Sequence, residues 1–242
     1  MGNSLNSGAD NRQERRAGAG WFVRRECWTL SGKAWVLLSI AVFATVLSAC
    51  CEVQSFLAVT KPARAKLLVV EGWIPAYALK QAIVEIGTGG YREVVTSGCL
   101  TNEDSGDRVG STYADWGAQR LQRYGLSGVP ITPVPCYVER RDRTYTSALA
   151  VKQWLEKNRP EATAIDVLTL DAHARRSRLL FQKALGDKII VGIIAVPDVE
   201  YDPEHWWRSS EGVREILGEG IAYAYARFFF WPSAPEPEPT RT

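Results

Sequence analysis

A chain of 242 residues, 46% apolar and 23% charged, with a formal net charge of +2, has the size and make-up of one ordinary globular domain with short tails. The near-neutral balance excludes the basic domain or stripe of a dedicated nucleic-acid binder, so no nucleic-acid partner is expected. Five Cys and two His without a CxxC pair do not make a common zinc site unless carboxylates help, and neither metal nor cofactor is expected.

Residues 1–33 are polar, rich in Gly, Asn and Ser, and basic through Arg12, Arg15, Arg16, Arg24, Arg25 and Lys33. They show no apolar periodicity, and a disordered cytoplasmic tail is expected. Met1-Gly2 would suit N-myristoylation, but Asn6 stands where that signal needs Ser or Thr. Residues 34–51 (AWVLLSIAVFATVLSACC) carry no charge and are just long enough for a hydrocarbon core of about 30 Å. With FLAVT (56–60) as an extension, a transmembrane anchor over 34–59 is expected. Arg15, Arg16, Arg24, Arg25 and Lys33 precede it, against Lys61, Arg64 and Lys66 after it. That bias places the N-terminus in the cytoplasm and the domain outside, as a single-pass protein of a bacterial inner membrane with a periplasmic domain. Leu47-Ser48-Ala49-Cys50 is also a lipobox, so a cleaved lipoprotein with lipidated Cys50 is the alternative. The basic lead-in is long for a signal peptide, unless translation starts at Val23 or Leu30. Both readings put the domain on the same side.

Beyond residue 62 apolar runs alternate with helical patterns. KLLVVE (66–71) reads as a strand buried on both faces. A helix opens at Pro75, with Ala78, Leu79, Ala82, Ile83 and Ile86 on one side, and closes at Gly87 and Gly89-Gly90. EVVTS (93–97) is a second strand, and a polar loop (101–108) leads to a helix over 111–124. Residues 131–135, set among prolines, suit a short or edge strand. A helix over 146–157, a strand over 165–170, a helix over 172–185 capped by Gly186, a strand over 188–195 and a helix over 207–230 complete the series. Residues 232–242 (PSAPEPEPTRT) form a Pro/Glu tail expected to be disordered. This order predicts a Rossmann-like three-layer α/β/α sandwich over 62–231 with a mostly parallel sheet, preceded by the anchor.

In such a sheet ligands sit beyond the carboxyl ends of the strands. Glu71, Gly72 and Trp73 follow the first strand, and Ser97, Gly98 and Cys99 the second. Gly72 and Gly98 would let backbone approach a ligand or simply make turns. No GxGxxG or GxxxxGK[ST] occurs, which argues against a standard dinucleotide or nucleoside-triphosphate pocket. Arg140–Ser147 combines three guanidinium groups with hydroxyls at a helix start, suited to a phosphate or carboxylate; helix capping by Thr144 or Thr146 is the plain alternative. After the fourth strand come Asp171, His173 and Arg176. The last two share one helix face, where His173 could transfer a proton beside an anion held by Arg176, or be an ordinary cap or surface residue. Glu71, Asp171 and Glu211 are carboxylates with no partner visible in the sequence. Cys99 and Cys136 are either buried thiols or, in an oxidising compartment, a disulfide. The aromatic run Tyr223 to Trp231, and Trp206 with Trp207, suit core packing or a lipid interface.

At VVEGW, VTSG, RTYTSA and strand-then-TxxxHxxR (Thr169, His173, Arg176) the chain resembles the YdcF/SanA/ElyC-like domain family of bacterial envelope proteins, over about Lys66 to Phe230. Thr146 and Ser147 stand where that family carries Glu and Asn. The resemblance implies a Rossmann-like fold and a role in envelope integrity, peptidoglycan-precursor, lipid-carrier or surface-polysaccharide metabolism. The resulting expectation is a membrane-anchored envelope-biogenesis protein binding a phosphorylated, lipid-linked small molecule. Catalysis would rest on His173, and binding on Glu71, Gly72, Ser97, Gly98, Arg143, Thr144, Asp171 and Arg176. A non-enzymatic envelope scaffold is one alternative, and an S-adenosylmethionine- or nucleotide-binding domain another.

Overall fold

The computed structural model describes residues 31–101, 111–137 and 142–231, except the side chains of Ala49 and Cys51. Residues 1–30 of the first tail, the whole of the second, most of the 101–108 loop, and Arg140 and Arg141 lie outside the described residues, whereas Gly32 and Lys33, expected in the first tail, are helical. Contacts divide the chain into residues 1–44 and 45–242. What is described of the first is the opening of helix α1, Gly32–Leu57. Among the described residues no helix is long and apolar enough to cross a membrane. The 34–59 span includes Ala49 and Cys51, whose side chains are not described.

The second unit is a Rossmann-like α/β domain. Strands β1 (Leu67–Glu71), β2 (Glu93–Gly98), β3 (Ile131–Pro135), β4 (Ala164–Leu170) and β5 (Ile190–Val196) form one sheet in the order β3-β2-β1-β4-β5. Every pairing is parallel, so the sheet is wholly rather than mostly parallel. Helices α2 (Ala76–Gly89), α3 (Tyr113–Arg123), α4 (Arg143–Asn158), α5 (Ala174–Leu185) and α6 (Ser210–Phe228) complete it. The continuous apolar run of β1 is used on both faces, because successive side chains alternate. Leu67 and Val69 join a core with Ala148, Val151, Leu155 and Phe181 of α4 and α5. Leu68 and Val70 join another with Ala78, Leu79, Ala82 and Leu121 of α2 and α3. Each fully buried Leu, Ile or Phe there contributes about 1.5–3 kcal/mol.

β3 is an edge strand, which is where its prolines can be tolerated. α2 ends as expected: Gly90 adopts the left-handed conformation at φ 70°. Two helix starts differ by three residues from the sequence reading. α4 begins at Arg143, not near Thr146, because Asp142 sits in the left-handed region (φ 49°) and serves as N-cap residue. α6 begins at Ser210, with Ser209 Oγ accepting the Gly212 N–H at 3.1 Å. Trp207, expected to open that helix, falls with Trp206 in a preceding 3-10 turn, Pro203–Arg208.

The segment entering the sheet is tied down by a buried acid. Asp166 of β4, fully buried, accepts the Ala63 N–H at 2.5 Å, the Ala65 N–H at 2.9 Å and the Tyr91 hydroxyl at 3.2 Å. Lys61 pairs with Ile193 as an antiparallel bridge. Leu57, at the end of α1, packs with Trp206 and Ile216, and Trp206 Nε1–H donates to the Cys50 carbonyl at 3.1 Å.

Candidate functional site

The strand order reverses between β1 and β4, and at that switch point the carboxyl ends of the strands leave a crevice. A cavity of about 530 Å³ opens there. Its walls include Glu71, Ser97, Gly98, Arg143, Thr144, His173 and Arg176. Seven of the nine residues expected at a site therefore surround one space. Gly72 and Asp171 are not among its walls.

His173 is placed by three elements. It ends a 3-10 turn, Asp171–His173, that continues β4 into α5. Trp73, from the turn after β1, packs edge-on against its ring at 4.8 Å between centroids. Glu219 of α6 lies 3.0 Å from Nδ1, and Arg176 Nη2 lies 2.9 Å from the same atom. Arg176 also grips Glu219 with two hydrogen bonds of 2.8 Å, from Nε and Nη2. Burial opposes ionisation of Glu219. The hydrogen bonds and charges of Arg176 and His173 outweigh it and hold the carboxyl well below the ordinary carboxylate range. For Arg176, burial works against the charge, but Glu219, with Glu71 and Glu215 nearby, reverses that and raises its pKa.

The other ring nitrogen of His173, a residue of the cavity wall, is differently placed. His173 Nε2 is buried with no hydrogen-bond partner among the described residues. It lies 3.7 Å from Glu71 Oε2, too far for a hydrogen bond. That carboxylate accepts from Ser177 Oγ at 3.0 Å and from Thr169 Oγ1, so Thr169 of the TxxxHxxR pattern orients Glu71. Ser97, paired with Glu71 in register across β1 and β2, also has a buried Oγ without a partner among the described residues. When Nδ1–H donates to Glu219, Nε2 is a base; when Nδ1 accepts from Arg176, Nε2–H is an acid. Either form gives the cavity wall a group capable of proton transfer beside Glu71.

The opposite wall is the amino end of α4. Asp142 has no side-chain capping bond, and Thr146 Oγ1 donates back to the Asp142 carbonyl at 3.1 Å, so neither Thr144 nor Thr146 is the N-cap residue. Arg143 Nη2 donates to the Leu100 carbonyl at 2.7 Å, and the guanidinium stacks over Tyr113 at 5.2 Å. Beneath this wall Cys99 and Cys136 form a disulfide, with Ser147 Oγ 3.5 and 3.4 Å from their sulfurs. Another part of the cavity wall is apolar, with Leu180, Ala222, Tyr225, Ala226 and Phe230.

Gly72 and Asp171 act on structure. A Cβ on Gly72 would fall onto the Tyr113 carbonyl, and one on Gly117 would come within 2.7 Å of the Gly72 Cα. The two glycines thus let α3 press against the end of β1. Asp171, at φ 30°, accepts from Tyr201 OH and from Gln54 Nε2, the latter at 3.1 Å. Burial raises its pKa against the pull of those hydrogen bonds. It fixes the turn that carries His173. Glu211, the third carboxylate, is exposed on the first turn of α6 and bonds Ser210. Glu215 and Glu219 went unnoticed in the sequence; their signal was a pair of carboxylates one helical turn apart in a largely apolar helix. Among the described residues no group of three or more His, Cys, Asp or Glu side chains could hold a metal ion.

Fold and site define a Rossmann-like α/β domain with a histidine–glutamate–arginine constellation at the switch point of its sheet. Comparison with protein-family models, with characterised proteins and with solved structures returns no match to this chain.

Proposed function

We propose that this is a membrane-anchored, extracytoplasmic protein of cell-envelope biogenesis, of the YdcF/SanA/ElyC-like kind, whose cavity binds a phosphorylated, lipid-linked metabolite. The reading rests on one observation above the others: two residues of the cavity wall, His173 and Ser97, each carry a buried polar atom, Nε2 and Oγ, with no partner among the described residues. Leaving such atoms unpaired costs about 1–3 kcal/mol each, which a bound ligand or water would recover. The amino end of α4, with Thr144 and the Arg143 guanidinium, suits the phosphate. Arg176, already gripped by Glu219, serves to position His173 rather than to hold the anion. The apolar end around Leu180 and Phe230 accommodates the alkyl part. His173, oriented by Glu219, exchanges a proton at Nε2. The disulfide accords with an oxidising compartment, and the uncharged run 34–51 supplies the tether.

Calorimetric titration of the detergent-solubilised chain with a short-chain alkyl phosphate tests this. Saturable binding is expected, weakened about tenfold or more in Arg143→Ala and in His173→Ala. Absence of binding to the native chain, or binding by both variants as tight as that of the native chain, would sink the pocket. A scaffold that leaves the cavity idle predicts that second result.

A further inference from the structure

α6 is built the wrong way round for a helix facing water. Glu215 and Glu219 point into the cavity, whereas Leu217, Ile221, Tyr225 and Phe228 are exposed, Ile221 by 72% and Phe228 by 68%. Their spacing puts them on one stripe of the helix, and exposed Phe229 and Trp231 continue it. A surface helix ordinarily turns its polar side outward, and a contiguous apolar stripe of this kind marks a contact surface.

The surroundings of the stripe select lipid as its occupant. On α6 itself Arg214 and Arg227 are exposed, against Glu211 as its exposed acid, a balance complementary to anionic headgroups. Arg227 stacks over Phe228 at 5.7 Å. Tyr225, Phe228, Phe229 and Trp231 are the residue types that gather at membrane–water interfaces. α6 is also the helix joined to the chain just after its uncharged run. Val53 and Leu57 share a cluster with Ile216 and Tyr223, and the Phe56 ring meets Tyr223 edge-on at 5.6 Å.

We infer that the outer face of α6, from Leu217 to Trp231, lies on the surface of the bilayer that holds the anchor. The inference rests on the tether proposed above. Tyr225 belongs both to the stripe and to the cavity wall, so docking brings the apolar end of the cavity to the headgroup layer.

The full chain, reconstituted in vesicles of phosphatidylethanolamine and phosphatidylglycerol, is given a benzoylphenylalanine photo-crosslinker at position 221 or 228. Position 84 on α2, also exposed, is the reference. Lipid adducts at 221 and 228 are expected at about ten times the yield at 84 or more. With the crosslinker at 217, Ile221→Glu with Phe228→Glu should lose the adduct while the urea midpoint holds. Adduct yields equal to the reference overturn the inference. A crosslinked dimer in place of lipid adducts also overturns it and assigns the stripe to a second copy. Carbonate extraction reads the tether separately: a chain that resists extraction yet gives no lipid adduct refutes the docking alone.

Discussion

Glu219 and His173 stand 46 positions apart in the chain and 3.0 Å apart in the fold. Their contact joins the last helix to the turn after β4, and Arg176 closes the group by binding both. Removing the carboxylate strands a mostly buried guanidinium. Glu219→Ala should therefore cost about 3 kcal/mol, toward the low end for a broken buried pair because Arg176 keeps some solvent contact. Glu219→Gln, which retains an acceptor, should cost less. Urea unfolding of the two variants checks the order, and equal losses would mean that charge plays no part.

The same group sets a pH dependence of definite sign. The folded state holds the Glu219 carboxyl well below the ordinary glutamate value near 4.5 that the unfolded chain keeps. Below 4.5 the unfolded state binds more protons, so this contribution is complete above that pH and is lost as the pH falls toward the folded value. Glu215 works the other way. Burial, aided by the charge of Glu219, raises its pKa, so its ionisation costs stability as pH rises from the ordinary value through the raised one. Thermal melts should show acid destabilisation of the native chain below about pH 4.5 and a flatter profile in Glu219→Ala. Glu215→Gln should raise the melting temperature at neutral pH and leave it unchanged in acid.

Much of the fold could be read from period alone. LLVVE, EVVTS and KIIVGIIA are apolar runs of strand length, and the strands occupy 67–71, 93–98 and 190–196. The site was legible only where its parts share one stretch of chain. His173 and Arg176 lie one turn apart, and Thr169 precedes them on the strand they follow. Glu219 was not legible, because a carboxylate on a helix carries no mark of which loop it will face. The same limit hid the partners of Asp171, which come from α1 and from Tyr201. At Gly72, whose position after β1 suited either a ligand's approach or a plain turn, the group that comes close is the backbone of α3.

That approach makes Gly72 a sharp test of packing. Gly72→Ala must push back the Tyr113 carbonyl and with it the start of α3. The expected cost is about 1–3 kcal/mol, the usual range for an overpacked contact. Since Tyr113 carries the Arg143 stack and lines the cavity, affinity for an alkyl phosphate should fall as well. Stability measured by urea and affinity measured by calorimetry should move together; an unaltered affinity would separate α3 from the site.

The Cys99–Cys136 bridge spans 37 positions, a loop long enough for the cross-link to restrict the unfolded chain substantially. Its loss should cost about 2–4 kcal/mol, or about 5–15 °C in melting temperature for a domain of this size. Cys136→Ser and the native chain under reductant should agree. A native chain indifferent to reductant would show that the bridge adds nothing to stability in solution.

Asp166 offers the clearest separation of local from global effects. Its carboxylate holds the segment entering β1 through the Ala63 and Ala65 amides, and it also takes the Tyr91 hydroxyl. Asp166→Ala leaves three donors without their acceptor, two of them buried and the Ala63 amide half-buried, for an expected cost of about 2–4 kcal/mol. The segment loses its own hold while the sheet keeps its other pairings, so opening should be concentrated at residues 61–65. Arg64, followed by Ala65, is the trypsin site inside that window, whereas the Lys61–Pro62 bond resists the enzyme. Native-state proteolysis should therefore cut there first and leave the remaining domain whole. Gly192→Ala reaches the same place from β5, because its Cβ would fall onto Asp166 Oδ1 and the Ala63 amide. Both variants should yield the same first fragments. Cleavage scattered through the domain instead would mean that the segment and the sheet unfold as one unit.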